Sequence, residues 1–204
     1  MSSSSAEHWE NVHLNKHQDV SWWQDPDDLW LDLFEKAKVK EYASIIDIGA
    51  GASLLIDSLL ESGYSDVSIL DIAHSSLSRV RERLGERARP GNYFVSDVLQ
   101  FSSERRFDVW HDRAVFHFLT TLETQSAYKK ALLDHLSLDG NLILSTFSPT
   151  GPESCSGLPV ARHSVESLVS LFKDNFDLVY SDERTHKTPW ESAQAFTVTI
   201  FQRR

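Results

Sequence analysis

Three acidic residues, each following a short apolar run, and a glycine pair between the first two are the places in this chain where residue type and spacing invite chemistry. Asp47 stands two positions before Gly49 in Ile45-Ile46-Asp47-Ile48-Gly49-Ala50-Gly51-Ala52-Ser53. Asp71 closes Val67-Ser68-Ile69-Leu70, and Asp97 follows Tyr93-Phe94-Val95-Ser96. Glycines at G-x-G spacing let the backbone bend sharply and approach a ligand, and a helix starting just beyond offers its free N–H groups. A carboxylate beside that bend suits an ammonium group, directly or through water, and repels a diphosphate. At the end of a second strand it suits a pair of ribose hydroxyls, and after a third the exocyclic amine of adenine. Leu54 occupies the place of the third glycine of a dinucleotide fingerprint, which weakens a dehydrogenase reading. Ammonium, ribose and adenine together describe S-adenosylmethionine.

The elements that must position these residues alternate between strand and helix. Residues 45–48 form an apolar run of the kind a buried parallel strand shows, and a helix over 53–61 ends at Gly63. A second strand, 67–70, leads to a helix over 75–84 in which Leu77, Val80 and Leu84 share a face and Gly85 stops the run. Arg89-Pro90-Gly91-Asn92 is a turn by composition before the third strand. The fourth strand covers 107–111, and a helix over 125–136 turns Tyr128, Leu132, Leu133 and Leu136 inward. Asp139-Gly140 then turns the chain into a fifth strand, 141–147. A loop rich in Gly and Pro over 148–158, a helix over 165–172 and strands at 176–180 and 196–201 complete seven strands. Before the first strand, Asp25-Pro26-Asp27-Asp28 reads as a helix start whose Leu29, Trp30, Leu33, Phe34 and Ala37 share one face. Residues 1–7, opening Met1-Ser2-Ser3-Ser4-Ser5, are expected to be disordered.

At 204 residues and 41% hydrophobic content the chain has the size of one domain, 1–204. No apolar run reaches the roughly 20 residues of a membrane span and no leader is visible, so the expectation is a soluble, cytoplasmic protein without a membrane partner. Cys155 is the one cysteine, which excludes an internal disulfide and a multi-cysteine zinc site. A formal net charge of −10 argues against a nucleic-acid partner. Arg79, Arg81, Arg83, Arg87 and Arg89 alternate with Glu82 and Glu86 and read as a solvated helix face.

The order and spacing of these motifs resemble the class I S-adenosylmethionine-dependent methyltransferases, from about Trp9 onward. The stretch 47–53 resembles their first motif, with Ser53 where many members have a third glycine, and Asp71 and Asp97 resemble the acidic residues of the second and third. Phe107-Asp108-Val109-Trp110 is similar to their fourth strand, Val115-Phe116-His117-Phe118-Leu119 to the segment after it, and Leu138-Asp139-Gly140 to the turn before the fifth. The resemblance implies an α/β, Rossmann-like seven-stranded methyltransferase sheet with an antiparallel last strand and helices on both faces. It implies S-adenosylmethionine as methyl donor and S-adenosylhomocysteine as product. Residues 8–38 become an N-terminal lid and helix.

On that resemblance the cofactor-binding set is Trp22, Asp47, Gly49, Ala50, Gly51, Asp71, Ile72, Asp97, Val98, His111 and Asp112, the last through its side chain or its backbone. Trp23, Phe147, His186 and Trp190 border the acceptor, and His117 and Arg113 are the catalytic candidates. Arg113 reads either as the ion-pair partner of a nearby carboxylate or as a clamp for an anionic acceptor, and His117 either as an active-site histidine or as one bonded to a backbone carbonyl. No metal is implied, because His111, Asp112 and His117 do not share a helical face. The compact chain suits a small-molecule acceptor, and residues 107–119 look like the thiol and thiopurine branch. A protein lysine methyltransferase is the alternative, although Asp112-Arg113-Ala114-Val115 departs from the Asp-Lys-Gly-Thr motif of that group. A non-enzymatic module that only binds the cofactor is a third reading. The oligomeric state is left open.

Overall fold

The apolar runs that precede Asp47, Asp71 and Asp97 fold into adjacent parallel strands. The computed structural model describes residues 3–15, 20, 21, 23, 30–89 and 91–204. In chain order its elements are α1 (Ser3–Asn15), α2 (Asp32–Lys36), β1 (Ser44–Ile48), α3 (Leu55–Glu61), β2 (Asp66–Asp71), α4 (His74–Leu84) and β3 (Tyr93–Val95). There follow β4 (Phe107–Arg113), α5 (Leu122–His135), β5 (Leu136–Phe147), β6 (Ser154–Cys155), β7 (Leu158–Pro159), α6 (Val165–Phe172), β8 (Phe176–Lys187) and β9 (Ala193–Arg203). Seven strands form one sheet in the order β3-β2-β1-β4-β5-β9-β8, and β6 and β7 pair in a separate small hairpin. The strands from β3 to β5 are parallel, whereas β9 runs antiparallel to both β5 and β8.

Strand alternation sends successive side chains to opposite faces, and each face is covered by helices. Ile45, Val67, Ile69 and Val109 pack with Leu33 and Phe34 of α2, Leu55 and Leu59 of α3, and Leu77 and Val80 of α4. Ile46, Ile48, Trp110 and Leu142 pack on the other face with Tyr128 and Leu132 of α5 and Leu168 and Phe172 of α6. This two-sided burial is why the central strands read as continuous apolar runs.

Four expectations are corrected. Residues 3–7 are not disordered: they open α1, a stretch without Gly or Pro, which docks through a hydrogen bond from Ser75 N–H to Glu10 Oε2 (3.2 Å). Among the described residues the helix expected from residue 26 is the short α2, Asp32–Lys36, and Trp30 just before it has a φ of 53°, a left-handed conformation no helix continues through; residues 24–29, with Asp25, Pro26 and Leu29, lie outside the described residues. α3 starts at Leu55, two residues late, with Ser53 Oγ accepting from Leu55 N–H (3.1 Å). The last two strands are far longer than 176–180 and 196–201, running as one hairpin through Lys187 and Ala193.

Candidate active site

The chain leaves β1 through a turn in which Gly49 (φ 64°) and Gly51 (φ 54°) both adopt the left-handed conformation that side chains disfavour. A Cβ on Gly49 would stand 2.1 Å from Val115 Cγ2, and one on Gly51 would stand 3.1 Å from His13 Cε1, so neighbours close over the turn from both sides. Gly51 N–H donates to Asp71 Oδ2 (2.8 Å) and Ala73 N–H to Asp71 Oδ1 (2.7 Å). The first of these bonds ties the end of β2 to the glycine turn, and the second fixes the carboxylate against its own chain. Burial raises the pKa of the Asp71 carboxyl above the usual range, against the pull of His13 and the two backbone N–H groups. Burial in turn lowers the pKa of His13, against the attraction of Asp71.

Asp97 follows β3 and accepts from Leu99 N–H through Oδ1 (2.9 Å), capping the 3-10 turn over 98–100. Asp47 pairs in register with His111, whose Nδ1 lies 2.6 Å from Asp47 Oδ1. All three carboxylates line one cavity, with Gly49, Ala50 and Gly51 between them. Trp9 and His13 of α1, Trp23, Val115, Phe118 and Cys155 form part of the remaining wall. This is a cleft with a glycine cradle and carboxylates from three neighbouring strands, and its residues fit an adenosyl ligand with a cationic tail.

No protein-family model matches the chain. Over 181 residues it is 24% identical to malonyl-(acyl-carrier protein) O-methyltransferase 1 of Ilyobacter polytropus, covering 83% of this chain and 66% of that protein, just under two thirds of the relative's length. Over 191 residues it is 24% identical to EEF1A lysine methyltransferase 2 of Danio rerio, covering 86% of this chain and 76% of that protein. A solved S-adenosylmethionine-dependent methyltransferase from Anabaena variabilis superposes with a TM-score of 0.75 at 14% identity, over 100% of this chain and 96% of that one. The fold is that of the class I S-adenosylmethionine-dependent methyltransferases.

Within this methyltransferase fold Asp47, Gly49, Ala50, Gly51, Asp71, Ile72, Asp97, Val98 and His111 share the cavity, and Trp23 and Arg113 line it too. Arg113 lies over the rings of Trp30 (5.4 Å) and Phe196 (5.5 Å). Trp22 lies outside the described residues. Asp112 does not line the cavity. Because side chains alternate along β4, His111 and Arg113 face the cleft while Asp112 points to the opposite face, where it accepts from Tyr128 OH (2.7 Å), Val115 N–H (2.9 Å) and Phe116 N–H (3.3 Å). Complete burial pushes its pKa up to about 6.

His117 is also displaced from the cavity wall. The 3-10 turn over 116–118 tucks its ring against Phe147, stacked at 4.3 Å, and burial together with Arg113 and His163 pulls its pKa down to about 3. Phe147, beneath it, is 1% exposed and stands behind the wall rather than in it. His186 Nε2 donates to Ser21 O (2.8 Å), holding the segment that carries Trp23 rather than touching the cleft. Trp190 is 55% exposed in the turn between β8 and β9 and is not part of the lining.

Trp9 and His13, which belong to the segment expected as a lid but were not singled out as site residues, line the cavity, and so do Val115, Phe118 and Cys155. Trp9 and His13 are four apart, which puts them on one face of a helix; recognising that spacing required recognising α1 first. Cys155 sits in the cavity wall with a thiol whose pKa is raised by burial.

Proposed function

We propose that this protein binds S-adenosylmethionine in the cleft above the glycine turn and transfers its methyl group to a small-molecule acceptor, with thiols and other soft nucleophiles the first class to try. The observation that carries this reading is the convergence of Asp47, Asp71 and Asp97 on one cavity around Gly49, Ala50 and Gly51. When bound, the cofactor supplies a methyl group activated by its sulfonium centre and leaves as S-adenosylhomocysteine.

The chain's own residues bind, orient and exclude water. Asp47, steadied by His111, offers negative charge to the ammonium group; Asp71 accepts from ribose hydroxyls; Asp97 accepts from the adenine amine. Trp9, Trp23, Val115 and Phe118 form an apolar part of the cavity wall, and such a wall helps to bring the acceptor into line with less competition from water. Arg113 orients an acceptor that carries negative charge. Acceleration in such a displacement comes mainly from placement, so a general base is required only where the acceptor is protonated.

The similarity to EEF1A lysine methyltransferase 2 favours a second reading, a protein lysine acceptor, and the net charge of −10 suits a basic target segment. Calorimetric titration with S-adenosylmethionine and S-adenosylhomocysteine tests the shared core of both readings; failure to bind either compound would sink it. Labelled methyl donor offered to thiols, amines and carboxylic acids, and intact mass of lysine-bearing proteins after treatment, then separates the two.

A further inference from the structure

One arginine of the apparently solvated face of α4 reaches the outer side of the glycine turn. Arg83 Nη1 donates to Ala52 O (3.2 Å) and Nη2 to Ser53 O (2.6 Å), while Nε and Nη2 donate to Asp57 Oδ2 (3.0 and 2.7 Å). Asp57 belongs to the first turn of α3, and its side chain is only 14% exposed. Arg87 adds a longer contact of its own to Asp57 Oδ1, 3.4 Å, and has no hydrogen bond to the turn carbonyls among the described residues. A single guanidinium thus joins the carbonyls of Ala52 and Ser53 to the helix that follows.

We propose that Arg83 is a positioning residue for the adenosyl cofactor, acting through Ala52 and Ser53; the inference rests on the cofactor reading given above. Ala52 and Ser53 line the cavity, whereas Arg83 does not. The turn is fixed on its inner side by Gly51 N–H on Asp71 and by Ser53 N–H on Ala50 O (3.0 Å). Arg83 fixes its outer side. In a trans peptide the C=O and N–H point in opposite directions, so holding the carbonyls of Ala52 and Ser53 toward α4 sets the plane of each peptide in the cavity wall. Left without those bonds, a turn with two left-handed glycines has other conformations open to it, and the wall loses its single shape. Only a planar fork with several donors reaches two carbonyls and a carboxylate together; an ammonium group does not.

The test is calorimetric titration of S-adenosylhomocysteine into wild type, Arg83→Met, Arg83→Lys and Arg87→Met, far below the thermal midpoint of each, with the midpoints recorded separately. Arg83→Met and Arg83→Lys are expected to weaken binding roughly tenfold, the loss of one or two charge-assisted hydrogen bonds. Arg83→Lys keeps charge beside Asp57 and so keeps the higher midpoint of the two. Arg87→Met is expected to bind within about twofold of wild type, since it removes an ion pair with Asp57 but no carbonyl contact. Wild-type affinity in Arg83→Lys, or equal weakening in Arg83→Met and Arg87→Met, would overturn the positioning role while leaving the cofactor reading in place. A wild-type protein that binds neither S-adenosylhomocysteine nor S-adenosylmethionine would remove the cofactor reading and this inference with it.

Discussion

His111 Nδ1 donates to Asp47 Oδ1 at 2.6 Å across the register pair that joins β4 to β1. Each side chain is 6% exposed, and Phe34 of α2 covers the imidazole at 5.5 Å. The bond holds the Asp47 carboxylate in one orientation at the wall of the cavity, where low dielectric strengthens its attraction for a cation. On the function proposed above, the pair is a preset counter-charge rather than two separate contacts.

Asp47→Asn separates charge from geometry. The amide oxygen still accepts from His111, so the fold around β1 stays, but the negative charge is gone. Affinity for S-adenosylmethionine is expected to fall by about 10- to 100-fold, the value of a hydrogen bond to a charged group, with little change in thermal midpoint. Calorimetry on the two proteins measures this directly; equal affinities would remove Asp47 from the cofactor site.

Tyr128→Phe strikes the opposite face of β4. Tyr128 OH donates to Asp112 Oδ2 (2.7 Å) and accepts from Trp110 Nε1 (2.9 Å), and all three side chains are fully buried. Deleting one oxygen orphans a buried indole N–H and strips a buried carboxylate of a donor. The expected cost is about 2–3 kcal/mol, read from urea unfolding. Because Asp112 also holds Val115 and Phe116 N–H, the variant should lose cofactor affinity as well; a change under about 0.5 kcal/mol would show that the network carries no stability.

The central sheet was legible because its chemistry is local. Parallel strands buried on both faces show as apolar runs, and Gly49 stops the first of them, so β1, β2, β4 and the cleft they form follow from residue type. The hairpin of β8 and β9 was not, since β8 is an edge strand whose second half, Ser181-Asp182-Glu183-Arg184-Thr185-His186-Lys187, reads as a polar loop. At the site, Asp112 was misplaced although the alternation of His111, Asp112 and Arg113 was there to be read. The position of His117 depended on a 3-10 turn that no period announces, and the cavity-facing side of α1 on a helix whose aromatic residues show no continuous stripe.

Gly49→Ala tests the cradle itself. The substitution meets Val115 Cγ2 at 2.1 Å and also imposes a φ of 64° on alanine. The conformational part costs about 1–2 kcal/mol and the clash adds to it. Val115→Ala in the same chain relieves the clash but not the backbone strain, so the double variant is expected to recover part of the lost stability and no more. Denaturant unfolding of both single variants and the double one measures the coupling; strict additivity would mean that Val115 does not close over the turn.

Acid sensitivity should trace in part to His117. Its folded pKa of about 3 lies below the ordinary 6.5, so between those values the unfolded chain carries a proton the folded chain refuses, and stability falls as pH falls. Asp112 works the other way: raised from 3.8 to about 6, it binds a proton first in the folded chain and adds stability as pH falls through that window. Burial lowers His163 and His13 in the same direction as His117 and raises Asp71 in the direction of Asp112, so a variant at His117 alone isolates its share. Neither ring nitrogen of His117 has a hydrogen-bond partner among the described residues, so His117→Leu removes a titrating group without breaking a bond. Between pH 7.5 and 5.0 the variant is expected to lose up to about 2 kcal/mol less than wild type in urea unfolding, at about 1.4 kcal/mol per pH unit over the part of that range below 6.5. A variant as acid-sensitive as wild type would mean that His117 takes up its proton in the folded chain, and that the stack on Phe147 does not keep it dry.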